Sequence, residues 1–318
     1  MKVNSYIEAP GSAGVSFNVA GLDYLCYNQV MGSEDALKRK KLYLLDLDGT
    51  LYIDDRLIDG AADFLRDAGS KGRVVYLSNN SSRGTDSYLK KFRRLGIDAD
   101  ADDFLTSADA LIHYLKVSYG PGLKKEKIYV MGTGSFRKQL EDSGYVLWDE
   151  DRDGGKDPSM VILGFDRELT FRKLEIVSRL LTVYPRMPYI ATNPDWVCPA
   201  AFYPDPETVK AGEKIGHVRG SVPDCGSMAE MLRTATGRSP KFIGKPEPLM
   251  IEMAMKRYGY SAEETLVIGD RIYTDIASGS NAGVDTAFVL SGEGTEEDIV
   301  RYGVKPTYIF NSIKEIPV

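Results

Sequence analysis

The sequence predicts an α/β protein: a Rossmann-like, doubly wound parallel sheet carrying an inserted α/β cap domain. Three observations lead there. Short apolar runs recur without polar alternation, as expected of strands buried on both faces. Segments with apolar residues at helical spacing separate them. Polar clusters stand directly after several of the runs, where a parallel α/β sheet places its ligand crevice.

Residues 1–40 alternate Gly, Ser and Asn with single apolar residues and read as an N-terminal extension, with a short polar helix over about 33–40. The first strand spans 42–47 and ends in Asp46-Leu47-Asp48-Gly49-Thr50. The second, 73–77, runs into Ser78-Asn79-Asn80-Ser81-Ser82. A helix follows with Tyr88, Leu89, Phe92 and Leu95 on one stripe, stopped by Gly96. A third strand, Phe242-Ile243-Gly244, leads at once into Lys245-Pro246, then into a helix carrying Ile251, Ala254, Met255 and Tyr258. The fourth, 265–268, ends in Gly269-Asp270, and its helix ends near Gly283. Strands over 286–290 and 307–310 complete the set.

Residues 117–239 form a second alternating block, with strands over 128–131, 160–163 and 189–192. One helix carries Leu174, Val177, Leu181 and Tyr184 and stops at Pro185. Another starts at Ser227, where Glu230 three residues on completes a capping box, and ends at Gly237. The block falls between the second and third polar strand ends, so it is an insertion dividing the main domain into 41–116 and 240–318. A unit at the rim of such a crevice reads as a lid.

Composition agrees with this division. A chain of 318 residues suits about two domains, and 43% apolar with 27% charged residues is a globular balance. The acidic excess, 46 Asp and Glu against 40 Lys and Arg, argues against a nucleic-acid partner. Cys26, Cys198 and Cys225 form no CxxC and are widely spaced, and the histidines are only His113 and His217. Neither a disulfide framework nor a zinc site is indicated, and the expected compartment is the reducing cytoplasm. No apolar run approaches the roughly 18 residues of a membrane span, so no membrane association is expected.

The strand ends carry the chemistry. Asp46 and Asp48 are two apart, so in an extended chain their carboxylates face one side, roughly 7 Å apart. Carboxylates so placed repel unless a cation or a proton intervenes, and Mg²⁺ suits all-oxygen ligands. Gly49 allows a sharp turn and Thr50 offers a hydroxyl. Asp270 ends another strand, Asp275 follows five residues later, and Lys245 supplies a fixed positive charge. Ser78 and Asn79 add neutral donors. Acids for a metal, one lysine and several hydroxyl or amide donors suit a phosphate group, and no GxxxxGK[ST] loop offers a triphosphate route.

Leu44-Leu45-Asp46-Leu47-Asp48-Gly49-Thr50-Leu51-Tyr52 resembles the first motif of the haloacid dehalogenase superfamily of phosphatases. Ser78-Asn79-Asn80-Ser81 resembles the second motif, Gly244-Lys245-Pro246 the third, and Gly269-Asp270-Arg271-Ile272-Tyr273-Thr274-Asp275 the fourth. The inserted block, with Ala191-Thr192-Asn193-Pro194-Asp195, is similar to the cap of subclass IIA. That subclass includes the NagD-like, p-nitrophenyl phosphate, phosphoglycolate and pyridoxal phosphate phosphatases. The resemblance covers about 41–315.

The resemblance implies a Mg²⁺-dependent phosphatase acting on a small-molecule phosphate monoester, such as a sugar phosphate or nucleoside monophosphate. Asp46 would be the nucleophile that forms an aspartyl-phosphate. Asp48 would protonate the leaving alkoxide and then activate water. Asp46, the backbone carbonyl of Asp48 and Asp270 would hold Mg²⁺, with Asp275 supporting the ion from behind. Ser78, Asn79, Asn80 and Lys245 would bind the phosphoryl oxygens. Asn193, Asp195, Trp196 and Cys198 of the cap would face the substrate. The resemblance also admits a homodimer assembled through the cap. A phosphotransferase or mutase using the same intermediate is the nearest alternative; a silent binding protein would have lost one of the acids present here.

Three departures stand out. Residues 1–40 have no counterpart in the pattern, the segment 199–223 is longer than such a cap's substrate loop, and Pro223-Asp224-Cys225-Gly226 stands where the pattern has Pro-Gly-x-Gly. The last two bear on the substrate rather than on the chemistry. Two weaker motifs read as turns. Gly132-Thr133-Gly134 lacks the third glycine of a dinucleotide loop, because Arg137 stands there. Asp151-Arg152-Asp153-Gly154 lacks a calcium loop's twelfth-position glutamate, where Ile162 stands.

Overall fold

The computed structural model describes residues 33–153, 155–203 and 218–318. Six parallel strands form the larger sheet, in the order Tyr308–Phe310, Asp285–Val289, Thr265–Gly269, Leu42–Leu45, Arg73–Ser78, Phe104–Thr106. Alternate side chains of the central strands enter two different apolar clusters: Leu42, Leu44, Val75 and Leu77 one, Tyr43, Leu45 and Tyr76 the other. Both faces are covered, which is why these strands show no polar alternation.

Leu42–Leu45 lies between Arg73–Ser78 on one side and Thr265–Gly269 on the other. The strand order reverses at that point, and a doubly wound sheet opens its crevice there. Asp46, Ser78 and Asp270 thus leave three adjacent strands at the same end. Phe104–Thr106 had no counterpart in the sequence reading. It is three residues long and passes directly into the helix Ser107–Tyr119, capped by Thr106, so no turn residue marks it.

The second sheet is also parallel, in the order Lys241–Phe242, Tyr189–Ala191, Met160–Leu163, Lys127–Met131, Val146–Leu147. This corrects one expectation. The strand expected at 242–244 in the main sheet is Lys241–Phe242, which pairs with Ile190 and Ala191 of the second sheet. Two residues carry too little pattern to say which sheet they join. The consequence is functional, because the chain leaves this sheet edge and delivers Lys245 straight to the crevice. Ile128, Val130, Met160 and Ile162 share an apolar cluster with Leu42 and Leu44. The opposite face, with Met131, Val161 and Leu163, is covered by the helices Phe171–Val183 and Cys225–Thr236.

The second of those helices starts two residues before the expected Ser227. Asp224 is its N-cap, accepting the Cys225 N–H at 2.5 Å. The Ser227–Glu230 box is not made: Ser227 Oγ donates to the Trp196 carbonyl, and Glu230 pairs with Arg233. The unusually long segment 199–223 has a structural counterpart at its ends. Val197–Phe202 and Val218–Pro223 form an antiparallel hairpin, Cys198 opposite Val222 and Ala201 opposite Arg219. A smaller hairpin, Tyr52–Ile53 with Arg56–Leu57, stands on the main domain. Of the expected extension, residues 1–32 lie outside the described residues, while Glu34–Leu37 forms a short helix. Thr133 caps the helix Gly134–Asp142, as its turn reading requires. Asp151 to Asp153 lie on the helix Glu150–Asp153, and Gly154 lies outside the described residues. Among the described residues no helix is long and apolar enough to cross a membrane.

Candidate active site

Asp46 emerges from the central strand with its N–H donated to the Ile268 carbonyl at 2.9 Å, which fixes it against the neighbouring strand. Its Oδ1 accepts the Lys245 ammonium at 2.6 Å. The same ammonium donates to Asp275 Oδ1 at 2.6 Å and to the Leu77 carbonyl at 3.4 Å. Lys245 is only 3% exposed. Burial alone would lower its pKa, but Asp275 and Asp46 outweigh burial and hold it above the ordinary value.

Asp270 is fully buried, its Oδ2 accepting the Glu293 N–H at 2.8 Å and its Oδ1 the Thr50 hydroxyl at 3.4 Å. Glycine makes room for it. A Cβ at Gly292 would lie 1.9 Å from Asp270 Oδ2, and one at Gly49, where φ is +90°, would lie 2.4 Å away. Asp46, Asp270 and Asp275 each place a carboxylate oxygen within 4.8 Å of the others. Burial first, and then the Asp46 charge, raise the pKa of both Asp270 and Asp275. Two of the three carboxylates, Asp46 and Asp275, pair with Lys245, and the buried Thr274 hydroxyl, which lines a pocket with Asp46, has no hydrogen-bond partner. An excess of oxygen donors and negative charge is what a hard divalent cation requires. Both Asp275 oxygens are engaged, by Lys245 Nζ and by the Arg271 N–H at 3.1 Å, and both Asp270 oxygens accept a bond, the one from Thr50 a long 3.4 Å, whereas Asp46 is engaged through Oδ1 alone.

Asp48 lies outside that acid group. Its carboxylate is 3.6 Å from Lys91 Nζ, and that ammonium stands 3.6 Å above the Tyr52 ring. Removal from bulk water within the crevice, and secondarily the Asp46 charge, raise the Asp48 pKa, with Lys91 opposing, while its side chain keeps 56% of its surface open. It sits where two cavities meet. The smaller, of about 50 Å³, is lined by Asp46, Ser78, Asn79, Lys245 and Arg271 among others. The larger, of about 980 Å³, shares Asp48, Asn80, Cys198 and Pro199 with it.

The serine–asparagine turn divides its work. Ser78 Oγ bonds the Tyr88 hydroxyl at 2.8 Å and accepts the Asn80 N–H at 3.2 Å. Asn80 spends its Oδ1 on Ser82 and lines both cavities. Asn79 departs from its expected role as a phosphoryl donor. Its amide gives one proton to Asp195 at 3.1 Å and one to the Lys245 carbonyl at 2.9 Å, and its Oδ1 accepts the Lys245 N–H at 2.8 Å. No amide proton remains, so the side chain positions Lys245.

The cap-side expectations divide similarly. Asp195 lines the smaller cavity, and its Oδ2 lies 3.9 Å from Arg271 Nη1. Cys198 lines both cavities, but burial pushes its thiol up to about 12, which disfavours the nucleophilic thiolate. Asn193 and Trp196 line neither. Asn193 is a fully buried clamp, donating to the Asn79 carbonyl at 2.7 Å, and Trp196 is 48% exposed. Arg271 and Asp224 also line the smaller cavity, although residue type and position alone mark neither as a site residue. Arg271 follows the motif aspartate Asp270, and Asp224 is the oddity of the Pro223-Asp224-Cys225-Gly226 segment.

Burial, with Asp195 beside it, pushes the Asp224 pKa from 3.8 up to about 7. Below pH 4 the folded and unfolded states both hold this proton, so it affects stability little. As pH rises from 4 toward 7, the unfolded chain gives up this proton while the folded state keeps it, so stability is lost progressively and the full penalty stands above 7. Asp224→Asn keeps a good N-cap without the charge. It should be more stable than the parent by up to about 4 kcal/mol at pH 8 and equal to it at pH 4. Urea unfolding at both pH values checks this; the same difference at each would refute it.

Comparison with known proteins places this geometry. Residues 43–146 match the family model described as haloacid dehalogenase-like hydrolase, and residues 242–316 match one described as HAD-hydrolase-like. The acid sugar phosphatase of Staphylococcus aureus (strain USA300) is 33% identical over 280 residues, 88% of this chain and 97% of that protein. A 4-nitrophenylphosphatase from Thermotoga maritima is 35% identical, with a TM-score of 0.74 over 88% of this chain and 97% of that one. A glycerol phosphate phosphatase from Mycobacterium tuberculosis, solved in complex with magnesium, is 27% identical, with a TM-score of 0.73 over 88% of this chain and 78% of that one.

Proposed function

The chain belongs to the haloacid dehalogenase-like hydrolases and is a phosphatase, and from that premise we propose that it hydrolyses small phosphate monoesters of sugar-phosphate size with Mg²⁺ as its ion. One observation supports the reading: Asp46 and Lys245 line a small cavity that shares residues with a larger one, while the buried Asp275 holds Lys245 and the buried Asp270 stands within 4.8 Å of Asp46.

Asp46 attacks phosphorus, the bond to the leaving oxygen breaks, and an aspartyl-phosphate forms. Lys245 already holds Asp46 Oδ1. It fixes the nucleophile's orientation and stands beside the charge that develops on the phosphoryl oxygens. Ser78 and Asn80 border the same cavity and complete the cradle. Asp48, with its raised pKa and open face, gives its proton to the leaving alkoxide and later takes one from the hydrolytic water. Asp46 and Asp270, backed by Asp275, would hold Mg²⁺, which supplies charge neutralisation during in-line transfer. The cap hairpin forms one wall of the larger cavity. That favours a compact ester over a phosphorylated protein surface.

Phosphate release from p-nitrophenyl phosphate should fall at least about 100-fold in excess chelator and return on adding Mg²⁺. An undiminished rate in chelator would remove the ion from the reading. No release under any metal condition, across a panel of esters, would remove the substrate class.

A further inference from the structure

We propose that the larger cavity holds a subsite for a second anionic group of the substrate, formed by Arg56, Arg83 and Arg167. The inference rests on the phosphate-ester reading above and narrows its substrate class to bis-anionic molecules: phosphate esters with a carboxylate or a second phosphate at the far end.

The three arginines come from separate elements. Arg56 lies on the strand Arg56–Leu57, Arg83 follows the serine–asparagine turn, and Arg167 follows the cap strand Met160–Leu163. All three line the 980 Å³ cavity. The charges around them are unequal. Each carboxylate lining that cavity has a cation close by: Asp48 with Lys91 at 3.6 Å, Asp54 with Arg219 at 2.7 Å, Asp55 with Arg94 at 3.6 Å, and Asp59 with Lys314 at 2.7 Å. Among the described residues, no hydrogen bond or ion pair engages the side chain of Arg56, Arg83 or Arg167. The fixed acids are therefore balanced and three guanidinium groups are left over. A planar guanidinium fork matches a carboxylate or phosphate, and three such forks lining one cavity are open to an anion there. The two cavities meet at Asp48 and Asn80. A substrate whose phosphoryl group reaches Asp46 therefore extends its other end toward this wall.

Two matched pairs test the subsite: fructose 1,6-bisphosphate against fructose 6-phosphate, and 6-phosphogluconate against glucose 6-phosphate. The bis-anionic member of at least one pair should have a kcat/KM at least about tenfold higher, mostly through KM. In the double variant Arg83→Ala with Arg167→Ala, that ratio should fall to within about twofold of one; the ratio cancels any general loss of activity. Binding of the same compounds to Asp46→Asn protein, followed by calorimetry, reads the subsite without turnover. Tighter binding of the bis-anionic member, lost when the two arginines are also replaced, supports the proposal. Ratios near one in both pairs, or a preference that survives the double variant, overturn it. Absence of turnover with every ester, accompanied by that binding preference, would overturn the phosphatase substrate reading and leave the anion subsite standing.

Discussion

Asp46→Asn is expected to lower phosphate-ester turnover by about 10⁴-fold or more while leaving the fold at least as stable as the parent. The amide has the shape of the carboxylate but not its nucleophilic oxygen, so no aspartyl-phosphate forms. Stability is expected to hold because Asp46 contributes one of three crowded negative charges, with Asp270 and Asp275. Burial and the Asp46 charge raise the pKa of both neighbours, so neutralising Asp46 relieves their repulsion. The amide oxygen can still accept from Lys245, as Oδ1 does at 2.6 Å. Rate assays with p-nitrophenyl phosphate and thermal unfolding on the same sample separate the two effects. Activity within tenfold of the parent would dismiss Asp46 as the nucleophile. A large fall in melting temperature would mean that the carboxylate has a structural task.

Burial on both sheet faces explains what the sequence made legible. Strands of the main sheet were visible because both faces are covered: Leu42, Leu44 and Leu45 are fully buried, and nothing polar interrupts them. Helix ends were visible where Gly96, Gly237 and Gly259 adopt the left-handed conformation that a C-cap requires. The strand expected at 242–244 of the main sheet is Lys241–Phe242 of the second one, because strand partnership is a long-range fact that two residues cannot encode. The Ser227–Glu230 pattern was a real capping signal in the wrong place. Asp224 caps earlier, and the two side chains find other partners.

At the site, residue type and position after a strand were enough to gather Asp46, Lys245, Asp270 and Asp275. They could not say which donors stay available. Asn79 and Asn193 have the right chemistry for a ligand, yet the Asn79 amide is spent on the Lys245 backbone and the Asp195 carboxylate, and Asn193 donates to the Asn79 carbonyl. Nor could sequence order reveal that the segment before Arg167 touches the turn before Arg83, the Phe165 N–H donating to Ser81 Oγ at 2.9 Å, so that both arginines line one cavity.

Lys245→Met should cost about 3–5 kcal/mol at pH 8, because it leaves buried acids without their cation, and it should lower activity by about 10³-fold. Methionine keeps the length and apolar stem, so packing around position 245 changes little. The pH dependence carries the argument. In the parent, the raised pKa of Lys245 means that its stabilising contribution is fully present from pH 5 to pH 8. In the variant, Asp275 loses the partner that lowers its already raised pKa. Its burden is therefore full above the new folded pKa and shrinks as acid protonates it. The stability gap should be widest at pH 8 and clearly narrower at pH 5. Millimolar Mg²⁺ should narrow it again at pH 8, because a cation that binds only the folded site stabilises the variant by mass action, and more so where the site is more anionic. Urea unfolding at both pH values, with and without Mg²⁺, measures each effect. A gap that ignored both protons and Mg²⁺ would mean that Lys245 acts through packing, and the electrostatic account of the acid cluster would fail with it.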